Sequence, residues 1–324
     1  MRGQLDTAGE RVQLDSELAW VTGLLTEGAA GRLEPATSGA ATMHVRVEAG
    51  RRAFGVSGWP LLSRGVWSRR GEVVIENVCT SGFDLHAACT EDGTCLTYRW
   101  RPPARDRAAA RILRSRFHLL ARSVLVQYPA LWWAGRHGRA PLHASACLAG
   151  DSTALVTASS GVGRSTLLLA EIAAGGSATA DNLSVADGMT VWGLVEPMRV
   201  EGGGGRRMPH GRHERPLEAR ADALIPDCVV VLERGDGSRA SLTPCDAEAA
   251  TRALVTGTYM AGELRRYWQF AAMLTAGTGR GPAHPPVAEI ASTFAARLPA
   301  FVMTLGHDRT MRLSELLETA TVPA

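Results

Sequence analysis

The sequence predicts a mixed α/β protein in two parts: a smaller, β-rich α+β part over residues 1–128 and an α/β part over 129–324. Three observations predict it. Short segments of alternating polarity, separated by turn-forming stretches, fill residues 1–100. Strand-like and helix-like patterns alternate through the second half. A glycine-rich stretch, ALVTASSGVGRST at 154–166, follows a strand pattern and precedes a helical one.

In the first part, MHVRVEA at 43–49 and GEVVIENV at 71–78 read as strands, with TSG, EDG and RPP as turns. From Asp106 to Tyr128 the period becomes helical, and Ala110, Leu113, Phe117, Leu120 and Val124 line one side. Arg107, Arg111, Arg114 and Arg116 crowd the first half of that helix; a solvated face explains them better than an anion-binding surface. In the second part, LHASACLAG and STALVTA are strands and RSTLLLAEIAA is a helix ended by Gly175 and Gly176. LSVA, the turn at 187–188 and MTVWGL form a hairpin. EGGGGRRMPHGRHERP at 201–216 reads as a mobile loop. CVVVLER at 228–234 and FVMTL at 301–305 are strands; helices occupy 246–276, 286–298 and the closing MRLSELLETA.

Composition narrows the function classes. The net charge of +3 argues against a general nucleic-acid binder. The start is polar and of mixed charge, and no apolar run reaches membrane-spanning length, so the expectation is a cytoplasmic protein without membrane association. The six cysteines form no C-x-x-C pair and read as reduced thiols. All 35 basic residues are arginine; there is no lysine.

The stretch at 154–166 approximates the phosphate-loop pattern G-x-x-x-x-G-K-[ST]. Ala158 stands for the first glycine and Arg164 for the lysine, while Gly161, Gly163, Ser165 and Thr166 are in place. Such a loop binds phosphate because successive backbone N–H groups form an anion nest at a helix N-terminus. Ser160, Gly161, Val162, Gly163, Arg164, Ser165 and Thr166 are therefore the expected nucleotide-binding residues. Ser165 is an expected Mg²⁺ ligand. Arginine keeps the charge of lysine but is wider and planar, so phosphate binding survives more easily than transition-state geometry. In a chain without lysine, Arg164 also follows the general composition. A weakly active enzyme with this loop predicts a gain of activity on Arg164→Lys.

His143 lies 21 residues before Arg164 (164 − 143) and Asp181 lies 17 after it (181 − 164). The order LHASA, ASSGVGRST, EIAAGG and ADN resembles the HPr kinase/phosphorylase family, over about residues 140–200 and less specifically to the chain end. It is closer to the shorter HPr kinase-like proteins of bacterial peptide and natural-product biosynthesis systems. The resemblance implies a P-loop kinase-like α/β domain using ATP and Mg²⁺. Asp181 would then be the general base for an acceptor hydroxyl and a Mg²⁺ ligand, with His143 beside it as a tuning or orienting residue. Asn182 replaces the second acid of the family's pair, and Glu196 is not assigned a role from its position. The expected reaction is ATP-dependent phosphorylation of a serine-type hydroxyl on a peptide, protein or small molecule. The alternatives are a nucleotide-binding pseudokinase acting as scaffold or regulator, and another ATP-driven group transfer. Homo-oligomerisation is left open. Arg206, Arg207, Arg212 and Arg215 could close over phosphates or grip an acidic acceptor; a solvated insertion explains them better.

Overall fold

The computed structural model describes residues 1–36, 41, 43–90, 93–200, 206–207, 213–307 and 312–321. It is mixed α/β and divides into two compact units. One is principally Met1–His137 with Arg266–Pro285; the other is principally Gly138–Arg206, His213–Arg265 and Pro286–Ala324. The first unit thus runs past residue 128 and takes in a segment from much later in the chain. Among the described residues no helix is long and apolar enough to cross a membrane.

The first unit is built on a nine-stranded mixed sheet. Met43–Glu48 lies parallel to both Glu10–Ser16 and Thr94–Trp100, and the remaining pairings are antiparallel. Met43, Val45 and Val47 are buried while His44 and Arg46 are exposed, the period-two signature of a one-sided strand. The hairpin Arg2–Thr7 and Glu10–Ser16 was hidden in a polar sequence. Gln4, Glu10 and Gln13 are buried together with Leu5, Val12 and Leu14, so apolarity does not mark the buried face. Its turn, Ala8-Gly9, has φ of 56° and 72°, the sense that matches strand twist, but without the Asn or Asp that would signal it.

The helix expected over 106–128 is broken. It forms Ala104–Ile112 and Arg114–Arg122, interrupted at Leu113, whose φ of −104° and ψ of 50° are not helical. Leu113 is exposed and does not join the apolar face expected of it. A π-turn at Ser123–Gln127 then leads into Tyr128–Gly135. Pro129 lacks the N–H that would pair with the Leu125 carbonyl, and the wide turn accommodates that loss. YPALWWAG is buried on all sides, so it carries no amphipathic signal.

The second unit carries a six-stranded sheet in the order Ser177–Ala178, Ala144–Ala149, Ser152–Ala158, Cys228–Arg234, Ala300–Leu305, Ser241–Cys245. The central three strands, Ser152–Ala158, Cys228–Arg234 and Ala300–Leu305, are parallel. Helices Arg164–Ala173 and Leu313–Thr321 bury Leu167, Leu168, Leu313, Leu316 and Leu317 against Ala154, Val156, Val230 and Leu232. Helix Ala247–Met260 covers the opposite face, where Gly257 approaches Thr157. Covering both faces explains the near-continuous apolar runs ALVTA and CVVVL. The strand Ser241–Cys245 was not legible because it contains Pro244; it lies at the sheet edge, where a missing N–H is tolerated.

A smaller sheet is formed by Ala140–Leu142, Ser184–Ala186, Val191–Gly193 and Ala223–Leu224, and contains the expected hairpin. The region expected as one helix over 246–276 is two, Ala247–Met260 and Tyr267–Thr278, and they fall in different units. His213–Arg215, expected within a mobile loop, pairs with Met198–Val200. Arg212, His210 and the glycines at 202–205 lie outside the described residues.

Candidate functional site

The glycine-rich loop joins strand Ser152–Ala158 to helix Arg164–Ala173. Ala158 is buried in the core and does not take a positive φ, so alanine is tolerated where the loop pattern has glycine. Gly161 and Gly163 do take positive φ, 82° and 133°. A side chain at either is strained, which is the reason for glycine there. Within the loop only the Val162 N–H finds a backbone acceptor, Ser159 O at 3.4 Å. The N–H groups of Gly161, Gly163, Arg164 and Ser165 have no hydrogen-bond partner among the described residues. That is the condition of an anion nest at a helix N-terminus.

Arg164 does not extend over this nest. It is the first residue of the helix, is buried, and spends its guanidinium on protein acceptors. Nε donates to the Asp181 carbonyl at 3.0 Å and Nη1 to the His143 carbonyl at 2.8 Å. Nη2 faces His143 Nε2 at 3.0 Å and donates to the Asn182 carbonyl at 3.3 Å and to Asn182 Oδ1 at 3.4 Å. The planar fork thereby ties three separate segments together. A cation at a helix N-terminus is disfavoured by the helix dipole. The carbonyl cage and the neighbouring acids Asp181, Glu263 and Glu196 offset that cost; burial pulls the Arg164 pKa down and these acids push it up.

His143 is held neutral. Burial and the Arg164 charge lower its pKa to about 4, against an opposing effect of Glu263. Arginine only donates, so His143 Nε2 accepts and the imidazole proton sits on Nδ1. Nδ1 is buried and has no hydrogen-bond partner. His143 therefore contacts Arg164, and its side chain is placed as a support for the arginine fork.

Ser165 and Asp181 are brought together. The Ser165 hydroxyl donates to Asp181 Oδ1 at 2.6 Å, and Asp181 Oδ2 lies 3.5 Å from the Arg199 N–H. Two hard oxygens beside the first turn of the loop helix are of the kind that form a partial Mg²⁺ ligand set, completed by phosphates and water. The donor set thus fits that ion. Among the described residues no three His, Cys, Asp or Glu side chains group as a complete metal-ligand set. Ser160, in the loop beside Gly161, and Thr166, in the first turn of the loop helix, are both exposed.

Three residues to which the sequence assigned no role complete the buried charge cluster. Arg199, on strand Met198–Val200, contacts Glu263 at 3.2 Å and Glu196 at 3.8 Å. Burial raises the Glu196 pKa to about 7; Arg199 opposes, and Glu263 and Asp181 add to the rise. Burial raises the Glu263 pKa, but the Arg199 charge, hydrogen bonds to the carboxylate and His143 together bring it below the ordinary value. Glu196 and Arg199 stand three apart in LVEPMRV, and Glu263 follows a helix 64 residues later (263 − 199). No local period links them. Arg234, at the end of the strand parallel to the loop's own strand, reaches the loop carbonyls of Gly161 and Val162.

No protein-family model matches the chain, and a comparison with curated protein sequences finds no match.

Proposed function

We propose that the second unit is an HPr kinase-like, ATP-dependent phosphotransferase acting on a serine-type hydroxyl of a peptide, protein or small molecule. The observation that carries this reading is the 2.6 Å pairing of Ser165 Oγ with Asp181 Oδ1 at the head of the helix that follows the glycine loop. Phosphoryl transfer needs a phosphate cradle, a metal and a base in line with the γ-phosphate. The loop N–H groups provide the cradle. Ser165 and Asp181 would hold Mg²⁺, which when bound neutralises charge on the transferring phosphate. Asp181 would also accept the proton of the acceptor hydroxyl as its oxygen bonds to the γ-phosphorus and the bond to the bridging oxygen breaks, releasing ADP.

A second reading is favoured by one observation. Arg164 is fully engaged with protein acceptors, so the residue at the lysine position contributes no direct phosphate contact in this conformation. That suits a nucleotide-binding pseudokinase. ATP binding and phosphate release or transfer, measured for the natural chain and for Asp181→Ala with hydroxyl acceptors offered, separate the two. Turnover lost in Asp181→Ala with binding retained supports the kinase. Binding with no turnover in either supports the pseudokinase. No binding in the natural chain refutes both.

A further inference from the structure

Arg234 is the final residue of strand Cys228–Arg234. In that register Leu232 pairs with Ala158, so the strand runs two residues beyond the point where its neighbour turns into the loop. Its exposed guanidinium touches the loop from outside the helix. Nη2 lies 3.3 Å from the Gly161 carbonyl and 3.4 Å from the Val162 carbonyl, and Nε lies 3.4 Å from the latter. These contacts are long, solvent-exposed and made to neutral acceptors. Among the described residues Arg234 has no carboxylate within ion-pair distance and no other hydrogen-bond partner. The contrast with Arg164 is direct. One arginine is buried with its donors committed; the other stands at the loop with its charge uncompensated.

We propose that Arg234 is the phosphate-binding cation of this site, supplying from the adjacent strand the positive charge that Arg164 does not direct at the nest. The proposal rests on the reading that the loop binds a nucleoside triphosphate. A guanidinium held only by long, exposed contacts to neutral carbonyls gains an oppositely charged acceptor whose oxygens match its fork when it turns to a phosphate. Each added phosphate adds negative charge for the guanidinium to meet, so its effect should grow with the number of phosphates.

Calorimetric titration of the full chain with MgATP and with MgADP tests this, using the natural protein, Arg234→Gln, Arg234→Lys and, as an unrelated exposed arginine, Arg252→Gln. The expected result is a loss of MgATP affinity of about tenfold or more in Arg234→Gln. MgADP affinity should fall less, Arg234→Lys should recover most of the loss, and Arg252→Gln should match the natural chain. Equal weakening of both nucleotides in Arg234→Gln would mean that the side chain only shapes the loop, and would overturn the proposal. So would unchanged MgATP affinity in Arg234→Gln; in either case the nucleotide-site reading stands. Failure of the natural chain to bind either nucleotide overturns that reading together with the proposal.

Discussion

Arg164 grips His143 twice, through the main-chain carbonyl at 2.8 Å and the ring Nε2 at 3.0 Å. The residue at the lysine position of the loop is thereby made part of the framework under it. His143 follows strand Ala140–Leu142, and Arg164 also holds the carbonyls of Asp181 and Asn182, so one guanidinium fixes the strand, the loop helix and the turn that carries Asp181.

This reverses the effect expected of Arg164→Lys. A lysine ammonium has three donors and no planar fork, so it cannot reproduce five contacts to three residues. Buried carbonyls left unpaired cost about 1–3 kcal/mol each. Chemical denaturation should show the variant destabilised by at least that much, and ATP turnover should not rise. An active, equally stable lysine variant would contradict the structural role of Arg164.

Asp181→Asn keeps the shape of the side chain and loses its charge and its basicity. Turnover of a hydroxyl acceptor should fall about 10²–10⁴-fold, the range of a general base. Nucleotide binding without Mg²⁺ should change little, because the loop N–H groups are untouched. Steady-state kinetics beside metal-free titration gives both quantities.

The acid limb of stability should depend on His143. Its folded pKa is about 4 against 6.5 unperturbed, so the unfolded chain binds the extra proton as pH falls through that window. Stability is complete above about 6.5 and is lost on going down to about 4, by at most roughly 3 kcal/mol. Glu196 acts with the opposite sign. Its folded pKa of about 7 exceeds its ordinary 4.5, so stability is lost as pH rises from 4.5 to 7. The two windows overlap and their slopes oppose, so the natural chain should show little net slope from this pair. In denaturation series across pH, His143→Gln should leave stability falling as pH rises from about 4.5 to 7, and Glu196→Gln should leave it falling as pH drops from about 6.5 to 4. Unchanged slopes in both would show that neither group titrates as its burial implies.

Glu171 is buried on the loop helix, and its Oε1 accepts from the N–H groups of Leu313 at 2.7 Å and Ser314 at 3.4 Å. It thus caps helix Leu313–Thr321 across the core. Glu171→Ala leaves those donors unpaired and should cost about 1–3 kcal/mol. Glu171→Gln retains the acceptor oxygen and should cost clearly less. Thermal melts of the two variants decide it; equal losses would point to charge and not to capping.

The local patterns in the sequence determined much of the second unit. Apolar runs gave the strands at 152–158 and 228–234 and all but the first residue of the strand at 300–305, and Gly175 with Gly176 gave the end of the loop helix. There the Gly176 N–H bonds the Glu171 carbonyl, and a Cβ would meet the Leu148 carbonyl at 2.2 Å. These features are legible because periodicity and backbone freedom act over a few residues. The sequence also marked Ser165 and Asp181, which the fold brings to 2.6 Å. The direction of the Arg164 side chain, the gathering of Glu196, Arg199 and Glu263, and the approach of Arg234 to the loop were decided only by tertiary structure. Each depends on which charges meet in a buried space across tens of residues. Electrostatics and desolvation there are set by three-dimensional neighbours, and no local spacing encodes them.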